Sequence, residues 1–320
     1  MYTRRRNIYS LSAATPTDRT GHKSALLVMS GTMGNQVAIR THLTQAPYSV
    51  LCDHRAHILI SEAGGVSAWT GATTIPVIPA NGLYLTLEDI LSRVVLSNNI
   101  HHCPTKLVSL ENTLHGLIIP LDEMRRIVDW AHENGIPVHL DGARVWDAVV
   151  ATSGRHSLAE HTSMFDSVSL CFSKGLGAPI GSMIVGSKGF IDRARWSIGG
   201  GIRQAGVIAA PARVAVDEVF GVDSYGMMGR MRGTHQRVRR IAALWTERGG
   251  RVLLPVQTGM VWLHLDAAGI DPSFMREIGG REGVRLSERR LVVHHQISDA
   301  TIQRLTRVFD VILKKTTPKL

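Results

Sequence analysis

Short apolar runs alternate with amphipathic stretches from about Gly21 to about Ala210. Apolar runs of strand length, bounded by turn residues, predict strands at residues 25–29, 50–52, 75–78, 106–110, 137–140, 168–172 and 183–185. Helical spacing of apolar positions predicts helices at residues 34–43, 87–97 and 121–134, and a further helix that opens at residues 63–65. The last two strands flank a turn and are expected to pair as in a hairpin. The β-α-β alternation therefore predicts an α/β fold, with a mostly parallel sheet covered by helices on both faces.

The pattern changes after about Ala210. The elements predicted there are a long helix, two short strands and a final helix, at residues 213–248, 260–265, 291–294 and 299–314. We therefore expect a large domain over residues 21–210 and a smaller C-terminal α/β domain over residues 211–320. Residues 1–20 are expected to form a poorly ordered N-terminal segment.

The composition is ordinary for an α/β enzyme. With 320 residues and 44% hydrophobic positions, the chain can fill a sizeable core. No stretch reaches the roughly 18 uninterrupted apolar residues of a membrane span, so no membrane association is expected. The three cysteines, Cys52, Cys103 and Cys171, are odd in number and far apart, and they lack CxxC spacing. This pattern argues against a disulfide framework or a metal site and for a reducing compartment, the cytoplasm.

The formal net charge of +10 raises the question of nucleic-acid binding. The densest basic stretch, residues 230–240, has its positive charges at near-helical spacing and lacks the interleaved aromatic residues of a base-stacking surface. A solvated helix face or a subunit contact is the favoured interpretation, and no nucleic-acid partner is expected. The Arg- and Ser-rich residues 1–12 fit a transit peptide, which leaves a mitochondrial location as an alternative.

Lys174 carries the most specific chemical signal. It ends an apolar, strand-like run and is followed by Gly175, Gly177 and other small residues. A lysine held stiffly where a strand gives way to a turn suits Schiff-base formation with an aldehyde cofactor. Asp141 follows the predicted strand at residues 137–140, and its carboxylate is a candidate partner for a pyridine nitrogen. Both residues fall just past strand ends, which places them at one edge of a parallel sheet, where ligands bind.

An anion site is predicted where Ser30, Gly31 and Thr32 precede a helix, because N–H groups at a helix N-terminus attract phosphate. Arg203, after a run of three glycines, can bring a guanidinium to the same phosphate. An imidazole is also expected against the cofactor ring, and His57 and His115 are the candidates. These features together predict pyridoxal 5′-phosphate as the cofactor.

At the level of motifs, the chain resembles the low-specificity L-threonine aldolases, which belong to the β-eliminating lyases among the fold-type-I pyridoxal-phosphate enzymes. The matching segments occur in family order at residues 27–36, 110–116, 139–146, 171–181, 199–206 and 290–295. The resemblance implies retro-aldol cleavage of L-threonine or L-allo-threonine to glycine and acetaldehyde. It also implies an amino-acid substrate and a homo-oligomer, either a dimer or a tetramer.

The resemblance implies roles for the matched residues. Lys174 would form the Schiff base, Asp141 would pair with the pyridine nitrogen, and His57 would stack on the ring and take part in proton transfer. Gly31, Thr32 and Arg203 would hold the phosphate. Arg144 and Arg290 would bind the substrate carboxylate, and His115 would lie near the β-hydroxyl.

Two departures from the family pattern bear on activity. The family's N-terminal Arg-Ser-Asp-Thr segment has no match in residues 1–20, so we expect a shortened N-terminus rather than a transit peptide. Trp196 follows Arg195 where relatives commonly have a lysine, which predicts weaker phosphate binding. Two alternatives stay open: a fungal alanine racemase of the same fold that supplies D-alanine to peptide natural products, and an inactive paralogue.

Overall fold

The computed structural model describes residues 19–152, 155–223 and 226–314, and a seven-stranded sheet organises the larger part of them. The strands are β1 (Ser24–Val28), β2 (Ser49–Asp53), β3 (Thr73–Val77), β4 (Thr105–Glu111), β5 (Val138–Gly142), β6 (Ser167–Cys171) and β7 (Ser182–Gly186). Their order across the sheet is β1-β7-β6-β5-β4-β2-β3. β7 runs antiparallel to β1 and β6, and the other neighbours pair in parallel. The predicted mostly parallel sheet is confirmed, as is the antiparallel pairing of β6 with β7.

Helices cover this sheet. They are α1 (Gly31–His42), α2 (His57–Ile60), α3 (Gly65–Thr70), α4 (Leu87–Leu91), α5 (Leu121–Glu133), α6 (Val145–Ala151), α7 (Leu158–Thr162), α8 (Lys188–Trp196) and α9 (Gly206–Ala215). Every residue of β2, β5, β6 and β7 is buried, as strands covered on both faces must be. The edge strand β3 is more exposed and carries Pro76, whose missing N–H is tolerated at an edge.

Helix α5 illustrates how the sequence forms these elements. Its buried side chains recur at helical spacing, at Leu121, Met124, Ile127, Val128 and Ala131. Asp122 and Glu123 lie in its first turn, where they complement the helix dipole. Gly135 follows with φ +66°, a left-handed conformation that glycine adopts without strain and that ends the helix.

The second part of the chain has its own core. Its elements are β8 (Val222–Asp223), β9 (Gly226–Met227), α10 (Gly229–Thr246), β10 (Met260–Trp262), a 3₁₀ turn (Asp266–Ala268), α11 (Pro272–Arg281), β11 (Arg290–Val292) and α12 (Asp299–Lys314). β10 pairs antiparallel with β11. Trp245 and Phe309 are fully buried and their rings meet edge to face, with centroids 5.0 Å apart. This core packs α10 and α12 together.

The described residues divide into two compact units. The first ends at Gly221 and omits residues 115–117, and the second contains residues 115–117 and the chain from Val222. The division lies beyond the predicted limit at residue 210, because helix α9 belongs entirely to the first unit.

The prediction of one long helix over residues 213–248 is wrong. Helix α9 ends at Ala215 and passes into a π-helical turn (Val216–Phe220), and α10 begins only at Gly229. Gly221 explains the break: a Cβ atom there would lie 2.1 Å from the Asp217 carbonyl oxygen, so the tight turn requires glycine.

The expectations for the N-terminal segment concern residues 1–20, of which residues 1–18 lie outside the described part of the chain. Thr20 is described and is buried, and its carbonyl oxygen accepts a hydrogen bond from the Thr162 hydroxyl at 2.8 Å. Across the described residues, every helix is too short or too polar to cross a membrane.

Candidate active site

The candidate residues of the first unit gather at the carboxyl ends of the strands. Glu111 ends β4 and Asp141 lies at the end of β5, and the two are register partners in adjacent parallel strands. Lys174 follows β6, and His57 follows β2. This edge is where open α/β sheets bind ligands. The prediction that Asp141 and Lys174 share one edge is confirmed, and Glu111 lies at the same edge.

The Asp141 carboxylate is buried and held at both oxygens. Its Oδ1 accepts the Ala143 N–H at 3.0 Å, and its Oδ2 accepts from Asn35 Nδ2 at 2.7 Å. Two donors on a buried carboxylate fix its orientation and stabilise its charge. Asn35 was missed by sequence reasoning, since an asparagine inside a predicted helix gives no sign of its partners.

His57 and Glu62 form a hydrogen-bonded pair. His57 Nδ1 lies 2.8 Å from Glu62 Oε1, and the His57 backbone N–H donates to Glu111 Oε2 at 2.8 Å. Because a carboxylate oxygen only accepts, His57 carries its proton on Nδ1, and a neutral ring presents a free electron pair at Nε2. Asn35 Nδ2 also donates to Glu62 Oε1 at 2.9 Å, so it ties this pair to Asp141.

Glu111 reports the electrostatics of the site. Burial raises the pKa of the Glu111 carboxyl, and the negative charge of Asp141 raises it further. The hydrogen bond from the His57 N–H and the positive charges of Lys174 and Arg144 act in the opposite direction. Lys174 and Arg144 therefore lie near enough to Glu111 to act on it, which brings both predicted residues to the same edge.

Lys174 lies in a tightly bonded turn after β6. The Gly177 N–H donates to the Lys174 carbonyl at 3.1 Å, and the Ala178 N–H donates to the Phe172 carbonyl at 2.9 Å. Gly177 has φ +78°, which explains a glycine there. The backbone of the lysine is thus fixed while its side chain stays partly accessible.

The predicted phosphate cradle is a helix N-terminus. Ser30 caps α1, its hydroxyl accepting the Met33 N–H at 3.1 Å, and Gly31 and Thr32 form the first turn, which holds no acidic residue. Arg203 is exposed in the segment between α8 and α9, after the three glycines. Trp196, which follows Arg195, is 88% exposed.

The remaining predicted residues, His115 and Arg290, lie in the second unit and meet at Trp262. The His115 ring lies 4.8 Å from the Trp262 ring, and the Arg290 guanidinium carbon lies 5.7 Å from the same ring's centroid. The Trp262 Nε1–H donates to the His115 carbonyl at 2.9 Å. His115 has φ +54°, a left-handed conformation. Trp262 was not predicted, because its role depends on a contact distant in sequence.

The donor set of the first unit fits pyridoxal phosphate. Glu62 and Asp141 place two carboxylates in a buried site, and a protonated pyridine ring would offset their negative charge. Glu62 Oε2 is buried without a hydrogen-bond partner among the described residues. Ligand atoms of His57, Glu62 and Asp141 also lie within 4.8 Å of one another, as in a metal site. However, His57 and Glu62 are hydrogen-bonded to each other, and Asn35 donates to both Glu62 and Asp141.

This fold, with a lysine after β6, a held carboxylate on β5 and a helix N-terminus after β1, defines a fold-type-I pyridoxal-phosphate enzyme. The model of the beta-eliminating lyase family matches residues 1–268, and the chain belongs to that family. It is a lyase that uses pyridoxal phosphate.

Curated relatives differ in their activities. Aldolase vrtJ of Penicillium aethiopicum is 51% identical over 289 residues, which cover 89% of this chain and 72% of that protein. The low-specificity L-threonine aldolase of Candida albicans is 44% identical over 294 residues, covering 90% and 76%. Alanine racemase TOXG of Cochliobolus carbonum is 41% identical over 298 residues, covering 92% and 76%.

A solved structure supports the fold. The threonine aldolase of Leishmania major superimposes with a TM-score of 0.73 at 17% sequence identity, covering 92% of this chain and 84% of that one. At this identity the likeness establishes the fold alone.

Proposed function

We propose that this enzyme cleaves L-threonine and L-allo-threonine to glycine and acetaldehyde. The observation that carries the proposal is the arrangement of Lys174 and Asp141 at one sheet edge, beside a histidine whose free nitrogen is set by Glu62. Four relatives named as low-specificity L-threonine aldolases share 41–44% identity over about nine tenths of the chain.

The cofactor, when bound, supplies an electron sink that stabilises negative charge at the substrate Cα. Lys174 would hold it through its aldehyde, and Asp141 would keep its pyridine nitrogen protonated. The N–H groups of Gly31 and Thr32 and the guanidinium of Arg203 would bind its phosphate. His57 would lie against its ring.

Arg144 would bind the substrate carboxylate through paired N–H donors. A carboxylate fixed in this way would set the torsion about the bond from nitrogen to Cα. This torsion decides which bond at Cα is activated, so Arg144 would favour Cα–Cβ cleavage over proton loss.

Proton transfer falls to the imidazoles. His57 would accept the proton of the substrate β-hydroxyl at Nε2, directly or through a water, while Glu62 holds the proton on Nδ1. The electron pair of the O–H bond becomes the carbonyl of acetaldehyde as the Cα–Cβ bond breaks. A proton delivered to Cα then completes glycine.

A second candidate reaction is alanine racemisation, which the relative TOXG favours. Racemisation needs a proton donor and acceptor on each side of Cα. Lys174 on one side and His57 on the other supply them without any Cα–Cβ cleavage.

Product analysis distinguishes the two reactions. Purified protein with pyridoxal phosphate is given L-threonine, L-allo-threonine and L-alanine in separate assays, and acetaldehyde, glycine and D-alanine are measured. We expect acetaldehyde and glycine in equal amounts from threonine. D-alanine without acetaldehyde would overturn the aldolase proposal in favour of the racemase.

A further inference from the structure

A line of buried polar side chains leads away from Asp141 toward the opposite ends of the strands. Asn35 contacts Asp141, His139 contacts Asn35, Ser167 contacts His139, and His42 contacts Ser167 at 2.7 Å. His139 and Ser167 are register partners in β5 and β6. We propose that these side chains form a directed hydrogen-bond relay that positions the Asp141 carboxylate for the cofactor, an inference that rests on the role proposed above for Asp141.

The relay has a direction because Asn35 faces two carboxylates. Its side-chain nitrogen lies 2.7 Å from Asp141 Oδ2 and 2.9 Å from Glu62 Oε1. Carboxylate oxygens accept, and the amide nitrogen has two hydrogens, so both are used. The opposite orientation of the amide would place three oxygens together. Asn35 Oδ1 is therefore free to accept, and it lies 3.2 Å from His139 Nε2.

The direction passes through His139 and Ser167. Because Asn35 Oδ1 accepts, His139 must carry its proton on Nε2, which leaves Nδ1 as an acceptor in the neutral ring. Ser167 Oγ, 2.8 Å from His139 Nδ1, then donates its hydrogen to that nitrogen. Burial lowers the pKa of His139 to about 4, so the ring is neutral at physiological pH.

The last member is His42, whose Nε2 donates to Ser167 Oγ. Burial lowers the pKa of His42 to about 3, and positive charge on His139 and Arg193 acts in the same direction. His42 also lines a cavity of 380 Å³ that is shared with Lys23, Asp166 and Arg193. Each link thus donates toward the Asp141 carboxylate, and hydrogen bonds aligned in this way polarise and strengthen one another.

The packing of α1 makes the relay possible. Asn35 and His42 lie seven positions apart on α1, so they share one face of the helix. Gly34 lets that face approach β6, since a Cβ atom there would come within 2.4 Å of Ser169 Oγ. The same close approach brings Asn35 within hydrogen-bond distance of His139 and His42 within hydrogen-bond distance of Ser167.

A test compares His139→Leu, which removes both hydrogen bonds, with His139→Gln, whose amide can donate to Asn35 and accept from Ser167. His161→Leu is the matched control, because His161 is a buried histidine outside the relay. The dissociation constant of pyridoxal phosphate is measured by titration of cofactor-free protein. We expect about a tenfold increase for His139→Leu and a value near wild type for His139→Gln and His161→Leu.

Substitutions along the line should follow its order. We expect Asn35→Leu to weaken cofactor binding most, Ser167→Ala less, and His42→Phe least, because each step adds distance from Asp141. Equal losses in all three, or a loss in His161→Leu as large as in His139→Leu, would show a packing effect and overturn the proposal.

A spectroscopic measurement tests the direction without any cofactor. Protein labelled with ¹⁵N at histidine should give His139 and His42 signals of the neutral Nε2–H form at pH 7, assigned from the spectra of His139→Leu and His42→Phe. An Nδ1–H form or a charged ring at His139 would contradict the relay.

The two proposals fail in different ways. If wild-type protein binds no pyridoxal phosphate while the histidine signals are as expected, the role of Asp141 is wrong and the relay stands as a structural feature only. If wild-type protein binds the cofactor and His139→Leu binds it equally well, the positioning role is wrong and the proposed function is unaffected.

Discussion

At the scale of single residues, Glu62 decides which nitrogen of His57 carries a proton. It is 3% exposed and accepts from His57 Nδ1 and from Asn35 Nδ2 through one oxygen. A group that orients a catalytic imidazole affects rate without touching the substrate. This makes Glu62 a positioning residue in the proposed reaction.

The substitution Glu62→Gln tests that role. The amide keeps the size of the side chain but removes its charge, so we expect kcat/KM for threonine cleavage to fall about tenfold. Glu277→Gln is the control, since Glu277 forms an exposed ion pair with Arg281, and such pairs contribute little. An unchanged kcat/KM in Glu62→Gln would show that His57 needs no such partner.

His161 gives a prediction about stability and pH. Burial lowers its pKa to about 4, and its ring nitrogens have no hydrogen-bond partner among the described residues. The unfolded chain binds this proton near the ordinary histidine pKa, so His161 destabilises the folded protein increasingly as pH falls from about 6.5 toward about 4. Between pH 7.5 and pH 5 the expected loss is about 2 kcal/mol.

Urea unfolding of wild type and His161→Leu at the two pH values measures this loss. The variant should gain stability relative to wild type by about 2 kcal/mol on going from pH 7.5 to pH 5. A difference between the two proteins that is independent of pH would mean that His161 is not buried as a neutral ring.

Sequence reasoning placed Lys174 and Asp141 just past predicted strand ends, whereas it left the choice between His57 and His115 open. It did not find Asn35 or Trp262. The carboxylate partners of Asn35 come from distant positions, Asp141 from β5 and Glu62 from the segment between α2 and α3. Trp262 contacts residues about 30 and 150 positions away, and no local pattern encodes such contacts.

At the scale of elements, the site residues lie in the segments that connect strands and helices, and the backbone conformation of one such segment requires glycine. Gly199, Gly200 and Gly201 have φ +73°, +99° and +147°. L-residues other than glycine are strained in this region. Because Cβ atoms at these glycines would meet open space, any effect of a substitution comes from the backbone and not from a clash.

We expect Gly200→Ala to shift the backbone before Arg203 and to reduce cofactor affinity about tenfold, equivalent to about 1.4 kcal/mol. Gly280→Ala is the matched control, because Gly280 lies inside helix α11 with open space around its Cα. That change should leave cofactor binding unaltered and raise stability slightly. If Gly200→Ala bound the cofactor as tightly as wild type, the segment at residues 199–201 would not contribute to phosphate binding.

Strands and helices were predicted well where burial produces a clear period, as in α5 and β5. The break after Ala215 was not, since residues 216–220 continue the apolar pattern and the glycines at 221, 226 and 229 were not taken as the end of the helix. The short helix α4 likewise ends at Leu91, before the predicted end at residue 97. Tertiary contacts set these limits, and intrinsic propensity is too weak to reveal them.

At the scale of the whole molecule, helix α9 bears on assembly. Of its residues only Ala212 is buried, whereas Val207 is 79% and Val214 is 53% exposed. Exposed apolar residues clustered on one helix are typical of subunit interfaces. We expect a homo-oligomer that buries this helix.

Light scattering during gel filtration measures the assembly. The mass should be a multiple of the 35.0 kDa protomer, and Val207→Glu combined with Val214→Glu should lower it. Ile100→Glu is the control, since Ile100 is also highly exposed but lies in a different part of the chain. A wild-type mass of one protomer at micromolar concentration would contradict the expected oligomer.

The central claim is that this molecule uses Lys174 to carry out pyridoxal-phosphate chemistry on threonine. The most direct measurement is the absorbance of purified wild type and Lys174→Ala after incubation with the cofactor and removal of the excess, followed by acetaldehyde release on addition of L-threonine. We expect wild type to retain the cofactor band, change it with threonine and release acetaldehyde, and Lys174→Ala to release none. Full acetaldehyde release by Lys174→Ala, or well-folded wild type that retains no cofactor, would contradict the account.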